Sequence, residues 1–260
     1  MRFSHVIFIF KHVCLIPSGW LVGLWWACAP VAQEPAPFFD ERADTSVFSP
    51  AELMGKIDPS RDSAFVRIDP AFASRSDLYL RREAAEAFVR MARAARAEGI
   101  AIRAISATRT FEQQKVIWER KWRERAAAFP EPRQRALSLL EYSSMPGTSR
   151  HHWGTDVDVN ALEDEAFRPG GAHERVYRWL RQNAHRFGFC QPYTPIGPRR
   201  LTGYREEKWH WSYLPLAAPM LAQYAAQITD GLIGGFAGAE TAAELEVVKH
   251  YVLGVDAACR

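Results

Sequence analysis

Ten consecutive residues, Ser149 to Asp158, constrain the fold of this chain more than any other segment, and they read Ser-Arg-His-His-Trp-Gly-Thr-Asp-Val-Asp. His151 and Asp158 are seven positions apart, with Gly154 between them for a close turn. A loop that folds back onto a strand can therefore aim both side chains at one point, where imidazole and carboxylate are good zinc ligands. Neighbours in an extended chain point to opposite faces, so His152 is not expected to join His151 at one metal. Considered alone, the segment also fits a surface histidine pair beside a solvated aspartate.

A second segment, residues 206–211, reads Glu-Glu-Lys-Trp-His-Trp. In a strand, His210 faces one way while the two flanking tryptophans face the other and can pack as core. Glu207 shares a site with His210 only if a turn separates it from the strand, and it could then handle the proton of an activated water. The alternative is a pair of core tryptophans beside an exposed glutamate. With His151 and Asp158, this histidine completes three protein ligands and leaves a fourth position open, as a catalytic zinc requires.

The periodicity of apolar residues predicts helices and strands that do not alternate regularly, which favours an α+β fold over a doubly wound sheet. The predicted helices cover residues 77–98, 111–128, 132–142, 173–187, 215–229 and 239–252, and the predicted strands cover 100–108, 155–160 and 209–213. Residues 33–75 are rich in proline, aspartate and serine, and we interpret them as a linker followed by irregular structure.

The first 32 residues are typical of a targeting segment. Arg2 and Lys11 flank an apolar stretch, a second apolar run follows, and the chain then turns polar. These two basic residues account for most of the net charge of +3, and no stripe of lysine and arginine follows, so nucleic-acid binding has no support. We expect an exported protein, periplasmic or associated with the cell envelope.

Two ways of processing this leader are compatible with the sequence. Cleavage near Ala29 or Ala32 would release a soluble protein. Alternatively, Cys28 could be lipidated as in lipoproteins and tether the protein to the membrane, although Trp25 replaces the usual leucine-like residue three positions earlier. A retained membrane anchor is a third alternative, but residues 17–19 (Pro-Ser-Gly) shorten each apolar run.

Two of the four cysteines, Cys190 and Cys259, lie beyond the leader. An even pair in an oxidising compartment suggests a disulfide between them, which would tie the carboxy-terminal segment to the core. Two cysteines far from the histidines do not indicate a cysteine-ligated zinc site.

Three ordered motifs resemble those of the D-alanyl-D-alanine carboxypeptidases of the vancomycin-resistance type. Residues 149–158 resemble the signature S-x-H-x-x-G-x-x-x-D, and residues 207–210 resemble E-x-W-H. Residues 106–110 (Ser-Ala-Thr-Arg-Thr), followed by Gln114, are similar to the arginine segment of that family. The resemblance spans about residues 78–215. It implies a small, mostly antiparallel sheet that carries the zinc site and packs against several helices, a fold related to hedgehog signalling domains.

The resemblance also implies roles for the matching residues. One zinc ion per chain would be bound by His151, Asp158 and His210. Glu207 would activate the attacking water, and Arg109 would stabilise the oxyanion. Ser149 and Gln114 are candidates for holding the substrate.

Asp156 departs from the family pattern, in which many relatives carry a small apolar residue at this position. Its side chain would point to the same face of a strand as Asp158. It could orient His151 or the neighbourhood of Trp153, or it could compete with Asp158 as a ligand. The stretch from about 119 to 145 resembles an insertion and has no functional interpretation from the sequence.

The resemblance implies a zinc-dependent D,D-carboxypeptidase that acts on stem peptides of peptidoglycan, and we expect a monomer. The alternatives are an endopeptidase of the same fold and an inactive zinc-containing domain that binds cell wall or a protein. We expect the peptidase domain over residues 76–230 and a helical extension packed on it over 231–260.

Overall fold

The computed structural model describes residues 47–260, so the predicted leader and its processing sites lie outside the described residues. The strands are β1 Phe65–Arg67, β2 Tyr79–Arg81, β3 Ala104–Ser106, β4 Asp156–Val159, β5 Phe189–Cys190 and β6 His210–Tyr213. The helices are α1 Pro50–Leu53, α2 Arg82–Ala97, α3 Phe111–Glu124, α4 Pro132–Leu139, α5 Glu174–Asn183 and α6 Leu214–Gln227. Short 3₁₀ turns connect several of these elements. The predicted α+β class is confirmed.

A four-stranded antiparallel sheet, in the order β3-β4-β6-β5, is the centre of the fold. Asp158 pairs with His210 across β4 and β6, and Asp156 pairs with Ser212. Residues paired across antiparallel strands lie on the same face, with their Cβ atoms about 5 Å apart. The register therefore places polar side chains of both strands on one face of the sheet.

The opposite face of these strands is apolar and joins one of two hydrophobic clusters. Val157 and Val159 of β4 and Trp211 of β6 pack in a buried cluster with residues of α2 and α5. The second cluster combines α1, α3, α4 and α6 with the carboxy-terminal segment. All four residues of β4 are buried, the apolar ones in the first cluster and the two aspartates on the polar face.

The amino-terminal part of the described chain is irregular but packed. Ser49 caps α1 through reciprocal hydrogen bonds with Glu52, and Leu53 is buried. Phe65 and Ile68 are also buried, although we interpreted residues 33–75 as a linker and irregular structure. From residue 47 onward, this region contributes to the body of the protein.

The structure corrects three predicted boundaries. The helix expected from Asp77 begins at Arg82, because residues 79–81 pair with β1 as a strand. The strand expected over 100–108 is confined to Ala104–Ser106. The helix expected over 239–252 is replaced by a 3₁₀ turn at Ala239–Thr241 and a π-helical turn at Val248–Val252. Glu246 has a φ of 46°, which a right-handed helix does not allow.

A disulfide and a hydrogen bond from α3 are among the contacts that fasten the carboxy-terminal segment to the body of the protein. Cys190 of β5 and Cys259 form the predicted disulfide, with their Cα atoms 5.8 Å apart, so this hypothesis is confirmed. The indole Nε1 of Trp118 in α3 donates to the carbonyl of Ala237 at 2.8 Å. A Cβ atom on Gly238 would lie 2.4 Å from the ring of Trp122, so the segment lies directly against α3. Among residues 47–260, no helix has the length and apolar character needed to span a membrane.

Candidate active site

A tight loop places His151 at the polar face of the sheet. Residues Arg150–Trp153 form a 3₁₀ turn that ends at Gly154, whose φ is 73°. A Cβ at this position would approach Phe65 Cε1 to 2.3 Å, so both the backbone conformation and the space require glycine. The chain then folds back into β4, as the spacing of His151 and Asp158 predicted.

His151, Asp158 and His210 converge in a buried cluster. One donor atom from each lies within 4.8 Å of the other two. His151 Nε2 is 3.2 Å from Asp158 Oδ2, and His210 Nδ1 is 3.3 Å from Asp158 Oδ1. Asp158 Oδ1 is buried without a hydrogen-bond donor among the described residues, as suits an oxygen that binds a cation. Two imidazoles and one carboxylate match the donor set of a catalytic zinc.

Hydrogen bonds on the far side of each imidazole decide which nitrogen faces the cluster. His151 Nδ1 lies 2.8 Å from the carbonyl oxygen of Ala107, which can only accept, so Nδ1 carries the proton and Nε2 is free to bind a metal. His210 is turned the other way: its Nε2 lies 2.8 Å from Asp156 Oδ1. Its Nδ1 is therefore the nitrogen available to a metal.

His152 does not join the cluster, as the sequence indicated. Its Nδ1 donates to the Arg109 carbonyl at 2.7 Å, and its Nε2 accepts from the Gly147 N–H at 3.0 Å. Burial lowers the pKa of this imidazole to about 3, which keeps it neutral. His152 thus fastens the active-site loop to the chain segments before β4 and α3.

Asp156 lies behind His210 rather than among the candidate ligands. Its carboxylate accepts from Arg150 Nε at 3.1 Å, and both side chains are fully buried. Arg150 also donates to Ser212, the residue paired with Asp156 across the sheet. Burial alone would raise the pKa of Asp156, but the charge of Arg150 and the hydrogen bond from His210 hold it below its usual value. Of the two roles that the sequence left open, this geometry fits the orienting one, but the histidine that Asp156 contacts is His210 rather than His151.

Glu207 reaches the cluster through the turn that the sequence required. Strand β6 begins at His210, and the His210 N–H donates to the Glu207 carbonyl at 3.3 Å, which closes the turn. Glu207 Oε2 then lies 3.3 Å from His210 Nδ1. Its side chain is buried, and desolvation raises its pKa. A carboxylate with a raised pKa beside a metal site is well suited to accept a proton and release it again.

Arg109 and Ser149 present buried polar atoms to the site, while Gln114 lies behind them. Arg109 Nη1 donates to Gln114 Oε1 at 3.0 Å, and Gln114 Nε2 donates to the Ser144 carbonyl at 2.7 Å. Arg109 Nε and Ser149 Oγ have no hydrogen-bond partner among the described residues. Gln114 does not line the pocket that these residues share, so its hydrogen bond to Arg109 makes it a support for that side chain.

These groups share one small polar pocket. Its lining consists of Arg109, Tyr142, Ser143, Ser144, Ser149, His151, Tyr193, Tyr204, Glu207 and His210. The sequence indicated five of these residues, Arg109, Ser149, His151, Glu207 and His210, but missed residues 142–144, Tyr193 and Tyr204. Residues 142–144 belong to the stretch without a functional interpretation, and no sequence pattern placed them at the site.

A family model described as VanY, D-alanyl-D-alanine carboxypeptidase, matches residues 77–216. The chain is 37% identical over 125 residues to a D-alanyl-D-alanine carboxypeptidase of Enterococcus faecalis, covering 48% of this chain and 44% of the relative. It is 29% identical over 177 residues to the putative carboxypeptidase YodJ of Bacillus subtilis, covering 66% of this chain and 59% of that protein. The chain thus spans about half the length of these two relatives.

Among solved structures, VanYB in complex with D-alanine-D-alanine has 29% identity and a TM-score of 0.46, with 62% of this chain and 85% of that chain covered. The LD-carboxypeptidase LdcB has 27% identity and a TM-score of 0.47, with 64% and 74% covered. The family match extends over more than half of the 260 residues and contains His151, Asp158, Glu207 and His210. The chain belongs to the VanY family of D-alanyl-D-alanine carboxypeptidases.

Proposed function

We propose that this protein is a zinc-dependent D,D-carboxypeptidase that hydrolyses D-Ala-D-Ala-type bonds in stem peptides of peptidoglycan. The observation that carries the proposal is the convergence of His151, Asp158 and His210 beside the carboxylate of Glu207. Membership of the VanY family supports the substrate class, as does the Enterococcus faecalis relative, which is named for this activity.

We assign one zinc ion per chain to His151 Nε2, Asp158 and His210 Nδ1. Zinc in such a site polarises the scissile carbonyl and lowers the pKa of water toward about 7. Three carboxylates, those of Asp156, Asp158 and Glu207, surround His210 and raise its pKa well above the usual value, against the effect of burial. The same concentration of negative charge favours a bound cation.

The remaining steps belong to the protein's own side chains. Glu207 accepts the proton of the attacking water and passes it to the leaving amine. Arg109 stabilises the oxyanion that develops on the carbonyl, and its buried Nε is free of other hydrogen bonds within residues 47–260. The free hydroxyl of Ser149 holds the substrate, and Gln114 keeps Arg109 in place.

A cell-wall substrate also requires export. The apolar leader with its basic residues supports a signal peptide, and the Cys190–Cys259 disulfide fits an oxidising compartment such as the periplasm. We propose a periplasmic or envelope-associated monomer, released by cleavage or tethered through Cys28. We place the peptidase domain at residues 76–230, with residues 231–260 packed on it.

The test is mass spectrometry of purified muropeptides after incubation with the leaderless protein, with and without chelator. Loss of one alanine from pentapeptides that chelator prevents and zinc restores is the expected result. Cleavage within a stem or a cross-link would instead identify an endopeptidase. A zinc-loaded protein that cleaves none of these peptides would contradict the proposal and favour a binding domain.

A further inference from the structure

The pocket wall formed by residues 142–144 has a cation directly behind it. Lys121 of α3 lies seven positions after Gln114, on the same face of the helix, and its Nζ donates to the hydroxyl of Ser143. Ser143 lines the pocket and is only 5% exposed. The stretch that resembles an insertion thus supplies both a charge and a hydroxyl to the site.

The hydrogen bond from Lys121 determines what the Ser143 hydroxyl can do. An ammonium group has only donors, so Ser143 Oγ is the acceptor in this contact. The O–H of Ser143 is then available to donate, and no described residue accepts from it. A hydroxyl polarised by a cation on one side and facing a pocket on the other is a binding group for an anion.

Among residues 47–260, no carboxylate forms an ion pair with Lys121, although the charge of Glu207 acts on it and opposes the lowering of its pKa. The side chain of Lys121 is half-buried. Burial lowers its pKa, and the positive charge of Arg109 lowers it further. Two cations therefore act on the same pocket, while the acid that lines it, Glu207, is occupied with proton transfer. This arrangement favours a ligand that brings a negative charge.

We propose that Ser143, oriented and polarised by Lys121, binds the free carboxylate at the carboxy terminus of the peptide substrate. The inference rests on the proposed function and deepens it, because it gives Arg109 and Lys121 separate tasks. Arg109 stabilises the oxyanion on the carbonyl that is attacked, and the Lys121–Ser143 pair binds the terminal carboxylate of the substrate. An enzyme with such a pair prefers peptides that end at the residue to be removed over amidated or extended ones.

The experiment compares diacetyl-L-lysyl-D-alanyl-D-alanine with its carboxy-terminal amide. Calorimetric titration of the zinc-loaded Glu207→Gln variant should show tighter binding of the free acid, by about 10- to 100-fold. Adding Lys121→Met or Ser143→Ala should remove most of this preference, and Lys121→Arg should keep it. Arg120→Met is the matched control, because Arg120 is an exposed cation of the same helix that pairs with Glu124.

In enzymes with Glu207 intact, the ratio of kcat/KM for acid over amide should fall in the same variants, with zinc content unchanged. Equal binding of acid and amide, or a preference that survives both Lys121→Met and Ser143→Ala, would overturn the inference. Preferential binding that depends on Lys121 without any hydrolysis by the wild-type protein would sustain the inference and remove the proposed activity.

Discussion

The carboxylate of Asp156 lies 2.8 Å from Nε2 of His210, on the side of the imidazole that faces away from the candidate metal site. Arg150 holds this carboxylate from behind, so the histidine is fixed by a buried chain of three side chains. A carboxylate that accepts from a metal-binding histidine fixes its tautomer and raises its basicity.

Asp156→Asn should therefore weaken zinc binding by about 10-fold or more. The amide keeps an acceptor for His210 but loses the negative charge that Arg150 and the imidazole share. Competition with a chromophoric chelator measures the change. Asp77→Asn, at an aspartate whose side chain is 69% exposed, is the control. An unchanged zinc affinity would show that Asp156 serves only the folding of the loop.

Glu207→Ala should lower turnover by about 1,000-fold or more while one zinc per chain remains bound. The carboxylate is assigned to proton transfer, and the three ligands do not depend on it. Turnover assays and elemental analysis on the same preparation separate the two effects. Glu206→Ala removes the neighbouring carboxylate, which pairs with Lys208, and should retain activity. Full activity of the Glu207 variant would show that this carboxylate is not needed for proton transfer.

Arg109→Ala should lower kcat by about 100-fold with a smaller effect on KM, because the guanidinium is assigned to charge that develops during the reaction. Steady-state kinetics on the free-acid tripeptide measures both constants. Arg109→Lys, which keeps the charge but not the geometry of the guanidinium, should recover only part of the loss. A higher KM with unchanged kcat would instead make Arg109 a substrate anchor.

Asp256→Asn should destabilise the protein at neutral pH. It should also make the free energy of unfolding less dependent on pH in the acid range. The buried carboxylate accepts from Thr194 at 2.7 Å and Arg199 at 2.6 Å, and these contacts, with the Ala258 N–H, lower its pKa below 3.8 despite burial. Because the folded pKa is the lower one, this stabilisation is complete above the unfolded pKa and is lost as pH falls through the folded pKa. We expect a loss of about 1–3 kcal/mol at pH 7 that shrinks as pH falls through the folded pKa, measured by urea unfolding across pH.

Replacing Cys190 and Cys259 together by alanine should lower the free energy of unfolding by about 2–4 kcal/mol, because the bridge closes a loop of 69 residues. Urea unfolding of the double variant is compared with that of the oxidised and reduced wild-type protein. Reduction should reproduce the effect of the double variant. Equal stability of all three forms would show that the bridge does not restrict the unfolded chain.

The sequence predicted the centre of the site well, because its residues lie in two short segments with restrictive spacing. His151, Asp158 and His210 meet as expected, and the turn required for Glu207 is present. The strands were harder to predict, since they are two to four residues long and obtain their stability from pairing. Tyr79–Arg81 was assigned to a helix because Leu80 fits the apolar stripe of α2, and only the distant partner β1 makes it a strand.

The pocket wall could not be predicted for a different reason. Tyr142 and Ser143 reach the site because α3 and α4 pack against each other. The periodicity of apolar residues in the sequence does not predict which helices make such a contact. Lys121 has no functional interpretation from the sequence, since its position at the site depends on a contact with a residue 22 positions away. The role of Asp156 was left open because an aspartate on the correct face of a strand can be a ligand or its support.

The contact between α3 and the carboxy-terminal segment sets the size of the smallest fragment that can work. The family match ends at residue 216, yet the helix that carries Gln114 and Lys121 rests on Ala237 and Gly238. A recombinant protein trimmed to residues 77–216 would expose Trp118 and Trp122 to water and lose the Cys259 end of the bridge. We expect such a fragment to aggregate, so experiments on this protein need residues beyond both ends of its family match.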